Sequence, residues 1–140
     1  MKGLAALLLL TACASSPATY VFDKEPQLGT VFPIDAPPTE YWMIASAQLS
    51  PAYSARFHDI DYVITVDGQR HINYIQTTDR HFVTREGLRV GNVEAEVIEA
   101  GGSRPVSEPG WARYARLQSG WCAMYGSDDD AKTVIAFFKR

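Results

Sequence analysis

Seven residues, Ile60-Asp61-Tyr62-Val63-Ile64-Thr65-Val66, constrain this fold more than any other stretch. Ile60, Tyr62, Ile64 and Val66 recur at every second position and β-branched residues dominate, which is the period of a strand. Asp67-Gly68 follows, then a second extended run from Gln69 to Thr77. A two-residue Asp67-Gly68 loop would pair Ile64 with His71 and Tyr62 with Asn73, mixing the faces. A loop of Asp67-Gly68-Gln69 aligns Ile64 with Ile72 and Tyr62 with Tyr74, but leaves Gly68 in its middle. A loop of Val66-Asp67-Gly68 puts Gly68 third, where a left-handed residue closes a type I turn with a bulge. That register sets Tyr62 against Ile72 and Ile60 against Tyr74, leaving one apolar and one mostly polar face. The sequence predicts this third register.

The same reasoning applies near the C-terminus. Trp111 to Leu117 and Trp121 to Tyr125 flank Gln118-Ser119-Gly120, again with glycine last. Leu117 should meet Trp121, Ala115 should meet Ala123, and Tyr114 should meet Met124. Both faces carry apolar residues, so this hairpin is expected to be covered on both sides. Thr133 to Lys139 reads as a final strand returning beside the Trp121 strand. Asn92 is placed as the cap of a short helix over 93–100, with Val93 and Val97 inward and Gly101 at its left-handed end. Residues 41–49 fit either a helical stripe (Tyr41, Ile44, Ala45, Leu49) or a strand start, and the helix is favoured. Ser50-Pro51 should end either one. The expected fold class is α+β: an antiparallel sheet from hairpins 60–77 and 111–125 with 133–139, carrying a helix at 93–100 and a second at 41–49.

Five of the eight prolines fall between Ala14 and Thr39, which excludes a regular helix or central strand there. Ala14 to about Tyr20 reads as a tether. Val21-Phe22, Leu28 and Val31-Phe32-Pro33-Ile34 are too apolar for a solvated linker and should lie against the domain as an extended arm.

Before the tether, Lys2 precedes an uninterrupted apolar run from Leu4 to Leu10. A run that short cannot cross roughly 30 Å of hydrocarbon as a helix, but it matches the apolar region of a signal peptide. Leu10-Thr11-Ala12-Cys13 resembles the lipobox of bacterial lipoproteins: a branched apolar residue, two small residues, then cysteine. The resemblance implies cleavage before Cys13, a thioether-linked diacylglycerol on its sulfur and acylation of its new amino group. Two or more acyl chains hold a protein stably on a bilayer. With Ala14 and Ser15 following, and no aspartate second, the pattern is similar to that of lipoproteins sent on to the outer membrane. The organisation expected is a signal peptide (1–12), a lipidated cysteine with a Pro-rich linker or arm (13–39), and one globular domain (40–140) held at the periplasmic face of that membrane. Losing Lys2 takes the formal charge from −3 to −4, and no strongly basic face points to nucleic acid.

Lipidation of Cys13 would leave Cys122 as the remaining thiol, read as a small core residue or, alternatively, as an exposed nucleophile or an intermolecular bridge. His58, His71 and His81 sit in no metal-ligand spacing; His58-Asp59-x-Asp61 is the nearest approach, and no metal or other cofactor is expected. Asp128-Asp129-Asp130 lacks the distal glutamate of a calcium loop and reads as a solvated turn. Ser119 lacks the glycine frame of a hydrolase nucleophile. The aromatic and basic residues Trp111, Arg113, Tyr114, Arg116, Trp121 and Tyr125 gather on one hairpin. Exposed, they would form a surface for sugar rings or an envelope protein; buried, they are core.

The leading expectation is therefore a non-enzymatic binding or assembly module of the envelope. Gly91-Asn92-Val93 through Val97, then Gly101 and Pro105, is faintly similar to small lipoproteins that assist outer-membrane protein assembly, though those place helices before the sheet. Arg113-Tyr114 and Ser119-Gly120 followed by Tyr125 resembles membrane-bound lysozyme inhibitors, which implies an inhibitor of a periplasmic hydrolase as an alternative. A Cys122-dependent enzyme is the third reading.

Overall fold

The longest strand, β3 (Gln48–Phe57), is the axis on which the first half of the chain assembles. In the computed structural model, which describes residues 18–127 and 132–140, it is flanked by three others. β2 (Glu40–Ala45) pairs with its first half, β4 (Ile60–Val66) with its second half, and β1 (Tyr20–Val21) runs parallel to its end. The sheet continues through β5 (Ile72–Thr77) to β9 (Val134–Lys139), β8 (Cys122–Tyr125), β7 (Ala112–Arg116) and β6 (Val106–Glu108). One six-residue helix, α1 (Glu94–Glu99), lies in the connection from β5 to β6. The α+β expectation is thus overturned: among the described residues this is a nearly all-β fold, a nine-stranded sheet made mixed by the parallel β1–β3 contact.

The helix expected at 41–49 is instead a hairpin. Tyr41 and Met43 point outward while Ile44 is buried, and Ala47 turns the chain at φ +57° so that Gln48 meets Ala45. Cross-strand partners decided against the local stripe, whose 3.6-residue period was coincidental. Pro51 does not end the element either. It sits within β3 opposite Tyr41, just before the β4 ladder begins at Ala52, so β3 is still an edge there.

The hairpin of β4 and β5 exists, but in a different register. Ile64 meets Ile75, Thr65 meets Tyr74, and a bulge lets Val66 meet Ile72. The left-handed residue of the turn is Arg70 (φ +65°), not Gly68. The Asp67 carboxylate accepts the backbone N–H groups of Gln69 and His71 at 2.8 and 2.9 Å, and those bonds organise a longer turn. The bulge places Tyr74 on one face and Ile72 and Ile75 on the other. The β7–β8 hairpin keeps its expected register, Tyr114 to Met124 and Ala115 to Ala123, with Gly120 at φ +93°. β9 lies beside β8 as expected. Helix α1 begins one residue later than expected, with Val93 at its cap position. The backbone of Asn92 is taken up by Val134, and its side chain accepts from Arg89 N–H. Of the two residues expected inward, Val97 is buried and Val93 is exposed.

Two cores result. On one face Tyr62, Ile64, Ile75, Ala123 and Phe137 are covered by Phe32 from the arm and by Phe82, Leu88 and Val97 from the β5–β6 connection. On the other face Ile44, Tyr74, Tyr114 and Phe138 form a smaller cluster. The sheet curls over this second cluster. Trp111 Nε1 donates to Met43 O at 2.8 Å, Arg140 donates to Ile44 O at 3.2 Å, and the Ser46 hydroxyl donates to Pro109 O. These bonds tie the β2 hairpin to the β6–β7 end. No helix among the described residues is long and apolar enough to cross a membrane.

Candidate functional site

The curl fills only part of its inner face. One row of paired residues crosses six strands on that side: Ser54, Val63, Gln76, Phe138, Cys122 and Arg116. Phe138 is sealed by Tyr74, Trp111 and Tyr114, whose rings lie 5.2–5.6 Å from it. Toward β3 the row opens into a groove of about 300 Å³ lined by Trp42, Ser54, Arg56, Asp61, Val63 and Gln76, with Thr19 at its rim.

Strand alternation explains this floor. Ser54 and Arg56 on β3 face the same way as Asp61 and Val63 on β4 and Gln76 on β5, while Ala55, Tyr62 and Ile75 point into the large core. Arg56 Nε donates to Asp61 Oδ1 at 2.8 Å, with both side chains more than half exposed. Such a pair is solvated and contributes little to stability, so its donors and acceptors can be exchanged for those of a ligand. The Tyr74 hydroxyl donates to Gln76 Oε1 at 2.5 Å and fixes that amide. Asp79 supports the floor from below: the backbone N–H groups of His81 and then Asp61 donate to it, holding its carboxyl below the usual range. The two-residue turn beside the groove is strained, since His58 and Asp59 have φ values of +46° and +61° without being glycine.

The six residues singled out on the C-terminal hairpin do not make one surface. Tyr114, Trp121 and Tyr125 are buried, Tyr114 in the small core and the other two in the large one. Trp111, half-buried, spends its indole N–H on Met43. Arg113 lies 5.5 Å over the Tyr125 ring and 3.4 Å from Glu94. Arg116 is exposed, 5.9 Å over the Tyr114 ring. Trp111, Arg113 and Tyr125 do line a wide hollow of about 470 Å³ with Glu108 and Met124, but the Trp111 indole N–H is spent on Met43 and Arg113 is paired with Glu94 there. The Tyr125 hydroxyl is buried without a partner among the described residues.

Cys122 is half-buried, and desolvation pushes its thiol up despite Arg116 and Arg140 nearby. A raised thiol is a poor source of thiolate. The histidines are occupied elsewhere: His58 against the Phe57 ring, His71 beside Asp67, and His81 on Asp79. Among the described residues no three potential ligands gather to hold a metal. Ser119 donates both N–H and hydroxyl to the Glu86 carboxylate at 2.7 and 2.9 Å. Asp128, Asp129 and Asp130 lie outside the described residues, as does Cys13.

Sequence reasoning missed the groove. Asp61 and Val63 belong to the mostly polar face expected of the 60–77 hairpin, but Trp42, Ser54 and Arg56 come from β2 and β3, strands the sequence does not predict, and the observed register brings Gln76 to the same side. Only the recognition of a strand at 40–45 places Trp42 beside that face. Comparison with family models, curated proteins and solved structures found no match to this chain.

Proposed function

We propose that this chain is an envelope lipoprotein, anchored through Cys13, that acts as a non-enzymatic binding module at the periplasmic face of the outer membrane. The observation that carries this reading is the position of the polar groove. Thr19 and Trp42 line it together, so the chain enters the fold at its edge. Thr19 is six positions after Cys13, a reach of at most about 22 Å when fully extended. An acylated Cys13 would therefore hold the groove close to the bilayer. An indole, an amide, a hydroxyl and an exchangeable ion pair suit a ligand rich in hydroxyl or amide groups, such as a glycan or a peptide of an envelope partner.

The two alternatives draw less support. The residues that carry the likeness to lysozyme inhibitors face inward or are bonded within the domain, as Tyr114, Tyr125 and Ser119 are. A nucleophilic Cys122 would need a lowered thiol and an adjacent base, and the thiol is raised.

Mass spectrometry of the protein extracted from membranes tests the anchor. The expected product starts at Cys13 and carries acyl chains, and Cys13→Ser leaves the protein unacylated and out of the outer-membrane fraction. An unmodified Cys13 in mature protein contradicts the proposal.

A further inference from the structure

The β2–β3 hairpin reaches past the cover of the large core. On one face its side chains are apolar and uncovered: Tyr41 and Leu49 are each 64% exposed and Met43 is 45% exposed. They are not scattered. Met43 pairs with Leu49 and Tyr41 with Pro51, so four apolar side chains form one patch across two strands. Farther along the same side of β3, Tyr53 is packed against Phe32 of the arm. The cover stops there and the patch begins.

The chemistry around the patch is equally one-sided. From Tyr41 to Ala55 the chain contains no aspartate, glutamate, lysine, arginine or histidine. Glu40, next to Tyr41, pairs with Ala52 and so lies on the opposite face of the strand, and pressing this face against an apolar medium removes none of its own side chains' ions from water. Two edge carbonyls of β2 are already satisfied, Met43 O by Trp111 and Ile44 O by Arg140, which lowers the cost of bringing a sheet edge near lipid.

We infer that this hairpin face rests on the bilayer, with Tyr41, Met43 and Leu49 at the boundary between headgroups and acyl chains. The inference deepens the proposed function and rests on its anchor at Cys13. Its warrant is where the chain enters the fold. Ala18 and Thr39 line one cavity, and Thr19 and Trp42 line another, so the first described residues lie beside the start of β2. Ala18 is five positions after Cys13, so an acylated Cys13 stands within about 18 Å of it. The hairpin adds a second contact to the lipid anchor and orients the domain, which sets the direction in which the groove opens. The absence of charge leaves nothing to steer a charged protein partner to this patch.

The test uses the mature acylated chain in phosphatidylcholine–phosphatidylethanolamine vesicles, in a Cys122→Ala background. An environment-sensitive fluorophore is placed at Leu49→Cys or, as control, at Glu99→Cys on α1. The Leu49 label should shift to the blue and be quenched by lipids carrying a nitroxide near the headgroup, while the Glu99 label should do neither. Aqueous emission at Leu49 overturns the inference. So does a shift that grows with protein concentration without lipid quenching, because a second copy of the chain would then occupy the patch. A second arm is independent of the anchor: the chain from residue 14, which keeps every described element, is titrated with the same vesicles. The Tyr41→Ser/Met43→Ser/Leu49→Ser variant should partition about tenfold more weakly than the parent. Equal partition removes the hairpin contact whatever Cys13 carries. A retained difference in a chain found unacylated keeps the contact and removes only the anchor.

Discussion

The two faces of this sheet are finished by different means. One is covered by segments that cross it: the arm brings Phe32, and the β5–β6 connection brings Phe82, Leu88 and Val97. The other is covered by the sheet itself, which curls until the β2 hairpin meets the β6–β7 end. A crossing segment can be as long as the face requires, so the first core is sealed. A curl closes only where the strands are long enough to reach, so the second face is sealed around Phe138 and open from Gln76 to Ser54. The groove is what remains where closure stops.

Adjacent residues on β9 should separate the two faces. Phe137 and Phe138 are both fully buried and point in opposite directions. Phe137→Ala leaves a cavity in the sealed core and should cost about 4 kcal/mol in urea unfolding, with ligand or partner contacts at the groove unchanged in the remaining folded protein. Arg140→Ala acts on the curl. It removes the guanidinium that lies 4.4 Å from the Trp111 ring and bonds Glu108, Ile44 O and the Tyr114 hydroxyl. The expected loss is about 2 kcal/mol, with faster hydrogen exchange on β2 and unchanged protection at Ile64 and Ile75. Equal loosening of both faces would break the distinction. Tyr125→Phe should stabilise the domain by about 1 kcal/mol, because the buried hydroxyl it removes has no partner among the described residues.

The smallest effect is a pH dependence confined to the curl. A hydrogen bond from Arg140 holds the Glu108 carboxyl below its ordinary value. A group lowered in the folded state contributes stability above its unfolded value, near 4.3, and loses it as pH falls through the folded value. The difference in urea midpoint between the parent and Arg140→Ala should therefore be steady from pH 7 to about pH 5 and narrow below about pH 4. A difference that stays constant on acidification would show that Arg140 acts through its aromatic and carbonyl contacts and not through Glu108.

Much of the sheet was legible where local chemistry and pairing agreed. Gly120 as the third loop residue fixed the β7–β8 register, and the alternation of Ile60–Val66 identified β4. Reading failed where a side chain or a distant strand decided. Asp67 organised a turn that glycine placement alone would have put elsewhere. Residues 41–49 carried a helical stripe, but the carbonyls of Met43 and Ile44 are claimed by residues 68 and 96 positions away. No local pattern contains those partners. The candidate site suffered in the same way. The aromatic hairpin was visible as a cluster, yet strand alternation and the curl direct Tyr114, Trp121 and Tyr125 inward. The groove is assembled from four strands and was visible in none of them alone.

Site-specific photocrosslinking in intact cells tests the groove most directly. A photoreactive phenylalanine analogue at Gln76 or Ser54, on the open floor, is compared with one at Ile98 on α1. The account expects discrete adducts from the two floor positions and none from Ile98. Floor positions that crosslink no more than Ile98 would contradict it.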